Sequence, residues 1–427
     1  MVTDDKMDVY DLSEGQELRF QVRDEPIEIE LRRGTAEIFG TEMMLGRRYR
    51  FTKGTRLAAF TYQSATIEVF GTSDVMYVGL ENPNYFYLNI HGLMEAMKCP
   101  VCLVCGPADV GKSTLCRILL SYAARKGRSP IFVDLDPGQG QIGIPGSIGA
   151  LVVEHPVDIE EDYALSSSLV MHYGHISPSV DNNTKNTLLY ETVIASMAKI
   201  VARKLVEDPK SAESGVVINT CGWIKGSGYS VLLKACEAFK VDYVLVFEED
   251  LQNRLSRDLK STETKVILTP KSGGVAFKQR EEKVESRNNR IRQYFYGRPN
   301  ERFYPAVFDV KFSSLKNSIY RVGVPSLMLP DSLMPLGARA TDSQLKVVPV
   351  ELNSANLLHH ILAISFAKVE DVLNETKIVL ETNVMGFICV TDVNEKEETV
   401  TILSPQPRPL PAGHALLLSS VQYMDSH

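Results

Sequence analysis

Eight consecutive residues, Gly106-Pro107-Ala108-Asp109-Val110-Gly111-Lys112-Ser113, have the types and spacing of a phosphate cradle. In such a loop the glycines let backbone N–H groups curl round anionic oxygens, the lysine reaches the outer phosphates, and the serine hydroxyl can sit on Mg²⁺. The flanks agree: Val101 to Cys105 is an apolar run that reads as a strand, and Ser113 to Lys126 reads as a helix stopped by Lys126-Gly127. A helix beginning at Ser113 also brings its positive dipole end to the phosphates. A chance match in an unrelated loop would lack that strand and helix. Gly106, Asp109, Val110, Gly111, Lys112 and Ser113 are therefore the expected nucleotide contacts.

Two carboxylates follow. Ile131-Phe132-Val133 leads into Asp134-Leu135-Asp136-Pro137-Gly138-Gln139-Gly140, and acidic residues at the carboxyl end of a strand in a parallel sheet face the ligand crevice. Alone this is a common strand-ending turn; after a phosphate cradle it is a site for metal and for activating a nucleophile. Asp134 and Asp136 would share one face of a true strand, and the spacing leaves open which of them touches the metal.

Trp223, the sole tryptophan, closes the turn Thr220-Cys221-Gly222-Trp223 after the apolar run Val216 to Thr220. A lone Trp is more often a packing residue, yet at a strand's carboxyl end its indole can stack on a nucleobase. Further on, Lys278, Arg280, Lys283, Arg287, Arg290 and Arg292 form a basic run with Arg280, Lys283, Arg287 and Arg290 on one helical face. Glu281, Glu282 and Glu285 among them fit a solvated, salt-bridged face. Gly273-Gly274 ahead of the run fits a hinged lid whose arginines neutralise transition-state charge. We take Arg287 and Arg290 as the phosphate-reaching pair, with Arg292 in reserve.

These groups need scaffolds, and the hydropathy pattern divides into three. Short alternating segments, Glu17 to Val22, Ile27 to Leu31, Thr35 to Gly40, Arg48 to Thr52, Leu57 to Tyr62, Thr66 to Gly71 and Val75 to Leu80, predict an all-β sandwich over residues 1–96. Beyond Cys99 the strands become continuously apolar and alternate with helical stretches such as Thr187 to Lys204. That predicts an α/β P-loop core over 97–303, a parallel sheet with helices on both faces, with the lid around 273–297. Short strands return after Tyr304: Phe308 to Phe312, and a hairpin within Lys377 to Leu403 that turns at 394–398. With one helix expected over Ser354 to Lys368, residues 304–427 read as a smaller mixed α/β C-terminal domain.

Bulk properties bound the rest. At 427 residues the chain exceeds one core, and roughly 150 residues per domain suggests about three domains. A net charge of -7 argues against a broad basic coat on nucleic acid and leaves room for a local basic site. Seven scattered cysteines with no secretory signal fit a reducing intracellular compartment, and no apolar run approaches the roughly 20 residues that cross a bilayer. Cys99, Cys102 and Cys105 have zinc-like spacing, but on a strand Cys102 points away from the others. His359-His360, expected on a helix, has no third ligand nearby. Pro405 to Pro411 reads as a rigid connector. A GTPase is disfavoured because Phe247-Glu248-Glu249-Asp250 stands where guanine would be read by Asn-Lys-x-Asp.

Four stretches together, Gly106 to Thr114, Val133 to Gly140, Thr220 to Trp223 and Arg287-Asn-Asn-Arg290-Ile-Arg292-Gln-Tyr-Phe-Tyr-Gly297, resemble the polyribonucleotide 5′-hydroxyl kinase family. That family is found in the messenger-RNA 3′-end cleavage factor and with the tRNA splicing endonuclease. Glu17-Leu-Arg-Phe20 and Ala36-Glu-Ile-Phe-Gly40 extend the likeness over nearly the whole chain. The resemblance implies a nuclear, three-domain enzyme that moves the γ-phosphate of ATP to the 5′-hydroxyl of RNA, with subunits of both complexes as partners. It implies that Lys112, Ser113 and Thr114 hold phosphates and metal, that Asp136 activates the hydroxyl, and that Gln139 positions groups near the metal. It also implies Glu17 and Arg56 as contacts to the base of ATP, Trp223 as an RNA clamp, and Ser177 with Asn182 as further substrate contacts. Some relatives are non-catalytic ATP-bound scaffolds. Intact Lys112, Asp136, Trp223 and lid arginines favour the enzyme.

Overall fold

The computed structural model describes residues 7–23, 25–73, 75–165, 167–179, 187–298, 301–324 and 345–424. The N-terminal strands make two facing sheets. One is ordered Met7–Leu12, Ala65–Phe70, Ile27–Gly34, Arg48–Phe51; the other Thr41–Glu42, Glu37–Ile38, Arg56–Phe60, Glu17–Gln21, Val75–Gly79. Alternate residues of Arg48–Phe51 are buried and exposed, the mark of a sheet packed on one side, and Leu18, Ile27, Ile29, Ile38 and Ile67 fill the space between. Met7–Leu12 and Thr41–Glu42 are strands that the hydropathy pattern does not announce.

The central sheet has seven strands in the order Leu169–His172, Ser147–Val152, Ile131–Asp134, Val216–Asn219, Val101–Cys105, Tyr243–Val246, Lys265–Leu268. The last five are mutually parallel; Ser147–Val152 is antiparallel to them, and Leu169–His172, antiparallel to Ser147–Val152, runs in their direction again. The expected parallel sheet is thus present in five strands, extended by a pair whose nearer member runs the other way. After the acidic turn the chain comes straight back with no crossover helix, and only antiparallel strands can be joined that way. Both faces are covered. Val101, Leu103 and Cys105 pack with helices Leu188–Glu207 and Ser227–Phe239, while Cys102 and Val104 pack with helices Asn84–Glu95 and Lys112–Arg125. The side chains of Cys102 and Cys105 thus point to opposite faces, Cys99 precedes the strand, and none of the described helices is long and apolar enough to cross a membrane.

The C-terminal sheet also has seven strands, ordered Ala306–Lys311, Thr399–Ser404, Val384–Asn394, His360–Lys368, His414–Gln422, Ile319–Val324, Lys346–Pro349. The helix expected over Ser354 to Lys368 is a single turn, Ser354–Leu357, followed by the strand His360–Lys368. Ile361 and Ala363 feed one core while Leu362 feeds another, so an unbroken apolar run marks a strand buried on both sides. His359 and His360 therefore lie at a strand start, and His360 Nδ1 pairs with the Ser419 carbonyl at 2.7 Å. Asn394 to Glu398 does form the turn of a hairpin.

The three parts are locked together. Glu37 of the sandwich accepts from Tyr122 and from Arg125 at 2.8 Å, both on the helix that follows the cradle. A Cβ on Gly40 would come within 2.9 Å of the Ile118 carbonyl oxygen. On the other side, Ser420 N–H donates to the Gly174 carbonyl at 2.8 Å.

Candidate active site in a three-walled cleft

Strand Val101–Cys105 ends at a loop whose curl depends on left-handed backbone: φ is 149° at Gly106, 55° at Asp109 and 96° at Gly111. At Gly106 a side chain is excluded twice, since a Cβ would also lie 2.9 Å from Phe247 Cβ. Lys112 then opens the helix Lys112–Arg125. It is buried, its Nζ donates to the Pro107 carbonyl at 2.6 Å, and burial lowers its pKa while Asp136 pulls the other way. A desolvated ammonium whose hydrogen bond is to a neutral carbonyl can gain by meeting a polyphosphate. Asp109, Val110, Gly111, Lys112, Ser113 and Thr114 all line the cleft above, whereas Gly106, packed against Phe247, does not.

The two aspartates have different surroundings. Asp134 is fully buried and accepts three hydrogen bonds, from Asn219 Nδ2 at 3.0 Å, Asp136 N–H at 3.1 Å and Gln141 N–H at 2.6 Å. Burial, reinforced by the charge of Asp136, pushes its pKa up to about 6. Asp136 is half-buried and lines the cleft. Its Oδ1 accepts from the N–H groups of Gly138 at 2.9 Å and Gln139 at 3.0 Å, which leaves Oδ2 for the cleft. The expected shared face is not realised: Asp134 shapes the acidic loop from beneath and Asp136 presents it. Among the described residues no three His, Cys, Asp or Glu side chains converge into a metal cage. Mg²⁺, which typically takes one or two protein oxygens plus phosphate, nevertheless suits the open Ser113 and Asp136.

The basic helix, Arg280–Tyr296, lies across this floor and begins with a capping box between Gln279 and Glu282. Lys283 Nζ pairs with Asp109 at 2.7 Å, Gln139 Nε2 donates to the Lys283 carbonyl at 3.2 Å, and Glu282 pairs with Arg56 of the sandwich at 2.7 Å. Arg287 is close enough to Asp136 to feel its charge, although burial and Arg280 lower its pKa. Arg290 also lines the cleft, with its guanidinium donating to the carbonyls of Gln141 and Gly143, and exposed Arg292 lines it too.

The remaining expected residues are divided. Trp223 lines the cleft with its ring packed on the helix of Gly228, where a Cβ would be 2.7 Å from Trp223 Cδ2. Ile176 and Pro178 line the cleft but Ser177 itself does not; its carbonyl accepts from Tyr173 at 2.8 Å. Asn182 lies outside the described residues. Glu17 is buried at the sandwich wall, held by Arg19 at 2.5 Å, and burial keeps its carboxyl above its usual pKa. Arg56 keeps one buried guanidinium nitrogen, Nη1, without a partner. Four contributors escaped the sequence reading: Arg19, Asn219, Gln141 and the Lys283–Asp109 pair. Arg19 also explains Gly273-Gly274, since a Cβ on either would come within 3.1 Å of its guanidinium. The whole cleft is about 2250 Å³, beyond the 300–1,000 Å³ usual for one small ligand.

With this geometry established, comparison with known proteins decides the family. The central part, residues 106–297, matches the model described as mRNA cleavage and polyadenylation factor CLP1 P-loop. Residues 303–425 match that of pre-mRNA cleavage complex II protein Clp1, and 11–100 the N-terminal β-sandwich domain of polyadenylation factor. The chain belongs to the CLP1 family. It is 46% identical over 441 residues to a protein CLP1 homolog of Anopheles gambiae and 44% identical over 439 to one of Drosophila melanogaster, each alignment covering 100% of both chains. Its fold matches a solved wild-type Clp1p–Pcf11p complex with a TM-score of 0.84 at 23% identity, covering 100% of both chains. A second Clp1p–Pcf11p structure, concerned with an extended interface and with ATP loss in a point mutant, gives a TM-score of 0.84 at 22% identity. Membership of the CLP1 family makes this an mRNA cleavage and polyadenylation factor with a P-loop domain.

Proposed function

We propose that the protein is an ATP-dependent RNA 5′-kinase, transferring the γ-phosphate of ATP to the 5′-hydroxyl of RNA. The observation that carries this reading is one cleft shared by a buried Lys112, an Asp136 oxygen free of hydrogen bonds, Arg287 and an indole. Lys112 and the cradle amides hold the phosphates of ATP, and Glu17 and Arg56 stand on the wall assigned to its base. Ser113 and Asp136 would hold Mg²⁺, which would supply charge neutralisation to the phosphates, and Asp134 secures the loop that carries Asp136. Asp136 accepts the proton of the 5′-hydroxyl as its oxygen bonds to the γ-phosphorus and the bond to the β-phosphate oxygen breaks. Arg287 meets the developing charge, Trp223 stacks on the first base, and Gln139 keeps the acidic loop against the basic helix.

Nuclear residence, work in tRNA splicing as well as messenger-RNA processing, and a Pcf11-like partner belong to the same proposal. A scaffold reading has one support of its own, that the two solved structures named above concern Clp1p together with Pcf11p. The purified protein incubated with γ-labelled ATP, Mg²⁺ and matched 5′-hydroxyl RNA and DNA oligonucleotides is expected to label RNA ends. Nucleotide binding without any labelled product would leave the scaffold in its place.

A further inference from the structure

The proposed chemistry uses the floor of the cleft and leaves one wall unexplained. Beyond the basic helix the lining continues through Arg298 and Arg302 to Phe303 and Tyr304. Tyr304 is 86% exposed and Phe303 43%. Two adjacent aromatic rings left in water at the mouth of a charged cleft suit an occupant with π-faces.

The charges point the same way. Arg292, Arg298 and Arg302 have no acidic partner among the described residues, whereas surface arginines such as Arg32, Arg47 and Arg125 are neutralised by Glu68, Glu160 and Glu37. In a chain of net charge -7, unpaired guanidinium groups beside exposed rings form a local site for a polyanion. The ledge is held in place rather than draped. Gly297 ends the basic helix at φ 76°, Gly297–Arg298 pairs with Glu301–Arg302, and Phe303 N–H donates to the Tyr296 carbonyl at 2.9 Å. A Cβ on Gly297 would sit 2.0 Å from the Glu301 carbonyl oxygen, so the ladder depends on that glycine.

We propose that this ledge is a binding track for the nucleotides that follow the reacting end of a single-stranded RNA. Phosphates lie on Arg298 and Arg302, and bases stack on Phe303 and Tyr304. The proposal rests on the 5′-kinase reading and extends it. It accounts for a cleft of about 2250 Å³, and it commits to unpaired strands, because stacking on side chains needs bases free of their complements.

The test uses the full-length protein saturated with a non-hydrolysable ATP analogue and follows the anisotropy of 3′-labelled 5′-hydroxyl RNAs, a dinucleotide and a decamer. The double variant Phe303→Ala, Tyr304→Ala is expected to bind the decamer about 10-fold more weakly or worse, with dinucleotide binding unchanged and, when ATP replaces the analogue, the kcat/KM for the dinucleotide unchanged as well. Arg298→Ala with Arg302→Ala is expected to flatten the salt dependence of decamer binding by roughly 0.7 per lost phosphate contact. Both rings being exposed, the melting temperature should not move. Decamer binding equal to wild type would overturn the track and hand the patch to a protein partner; equal loss for both lengths would overturn it as well. If the wild-type protein phosphorylates no oligonucleotide, the kinase reading fails, and the binding measurements still decide the ledge.

Discussion

Lys112, Asp136 and Trp223 show how unevenly chemistry is written in single residues. The lysine is legible because a phosphate cradle tolerates few alternatives, and burial with a lowered pKa is what that role demands. Its replacement by Ala should reduce turnover at least about 100-fold, since removing one preorganised donor to developing charge costs roughly 3 kcal/mol. Steady-state labelling checks this, and near-normal rates would disprove the cradle assignment. Trp223→Ala should weaken RNA use by about 5- to 150-fold, the equivalent of roughly 1–3 kcal/mol of stacking. Nucleotide binding by calorimetry should be unchanged; if ATP affinity fell equally, Trp223 would be a packing residue against Gly228. The division of labour between Asp134 and Asp136 was not legible. It depends on Asn219 standing beside Asp134 in the sheet register, and no local spacing reveals which distant strand is the neighbour.

At the scale of elements, hydropathy located most strands of the sandwich and the inner strands of the core, because alternation and continuous burial leave different patterns, but it passed over Ser147–Val152, Leu169–His172 and Lys265–Leu268 at the edges of the central sheet. It failed at His360–Lys368, where an apolar run could belong to a helix or to a strand with cores on both sides. The basic helix was legible, but what fixes it was not. Asp109 and Lys283 lie 174 positions apart and meet at 2.7 Å, with the pair only 13% and 25% exposed. Lys283→Met should cost on the order of 1 kcal/mol of local docking and leave global stability almost unchanged. Hydrogen exchange over 275–290 is therefore expected to accelerate several-fold at constant melting temperature. Unaltered exchange would mean that the capping box and Arg56–Glu282 suffice.

The whole molecule depends on junctions that a single sequence cannot display, since each joins segments far apart in the chain. The one between the central and C-terminal sheets is built round Gly174, against which buried His172 and the Leu418 carbonyl both pack and whose own carbonyl accepts from Ser420 N–H. Burial, helped by nearby His175, pushes the pKa of His172 down to about 3 from an ordinary 6.5. Between those values the unfolded chain binds a proton that the folded protein refuses, so stability is present above pH 6.5 and lost as pH falls towards 3. By pH 5 the loss from this one group is about 2 kcal/mol, at roughly 1.4 kcal/mol per pH unit. His172→Gln keeps a polar side chain of similar size and removes the titration. Compared with wild type, its urea-unfolding free energy should decline about 2 kcal/mol less between pH 7 and pH 5, whatever the other carboxylates and histidines do, since their contributions cancel in the difference. Parallel pH profiles for the two proteins would show that His172 is hydrated in solution and that the junction opens without acid.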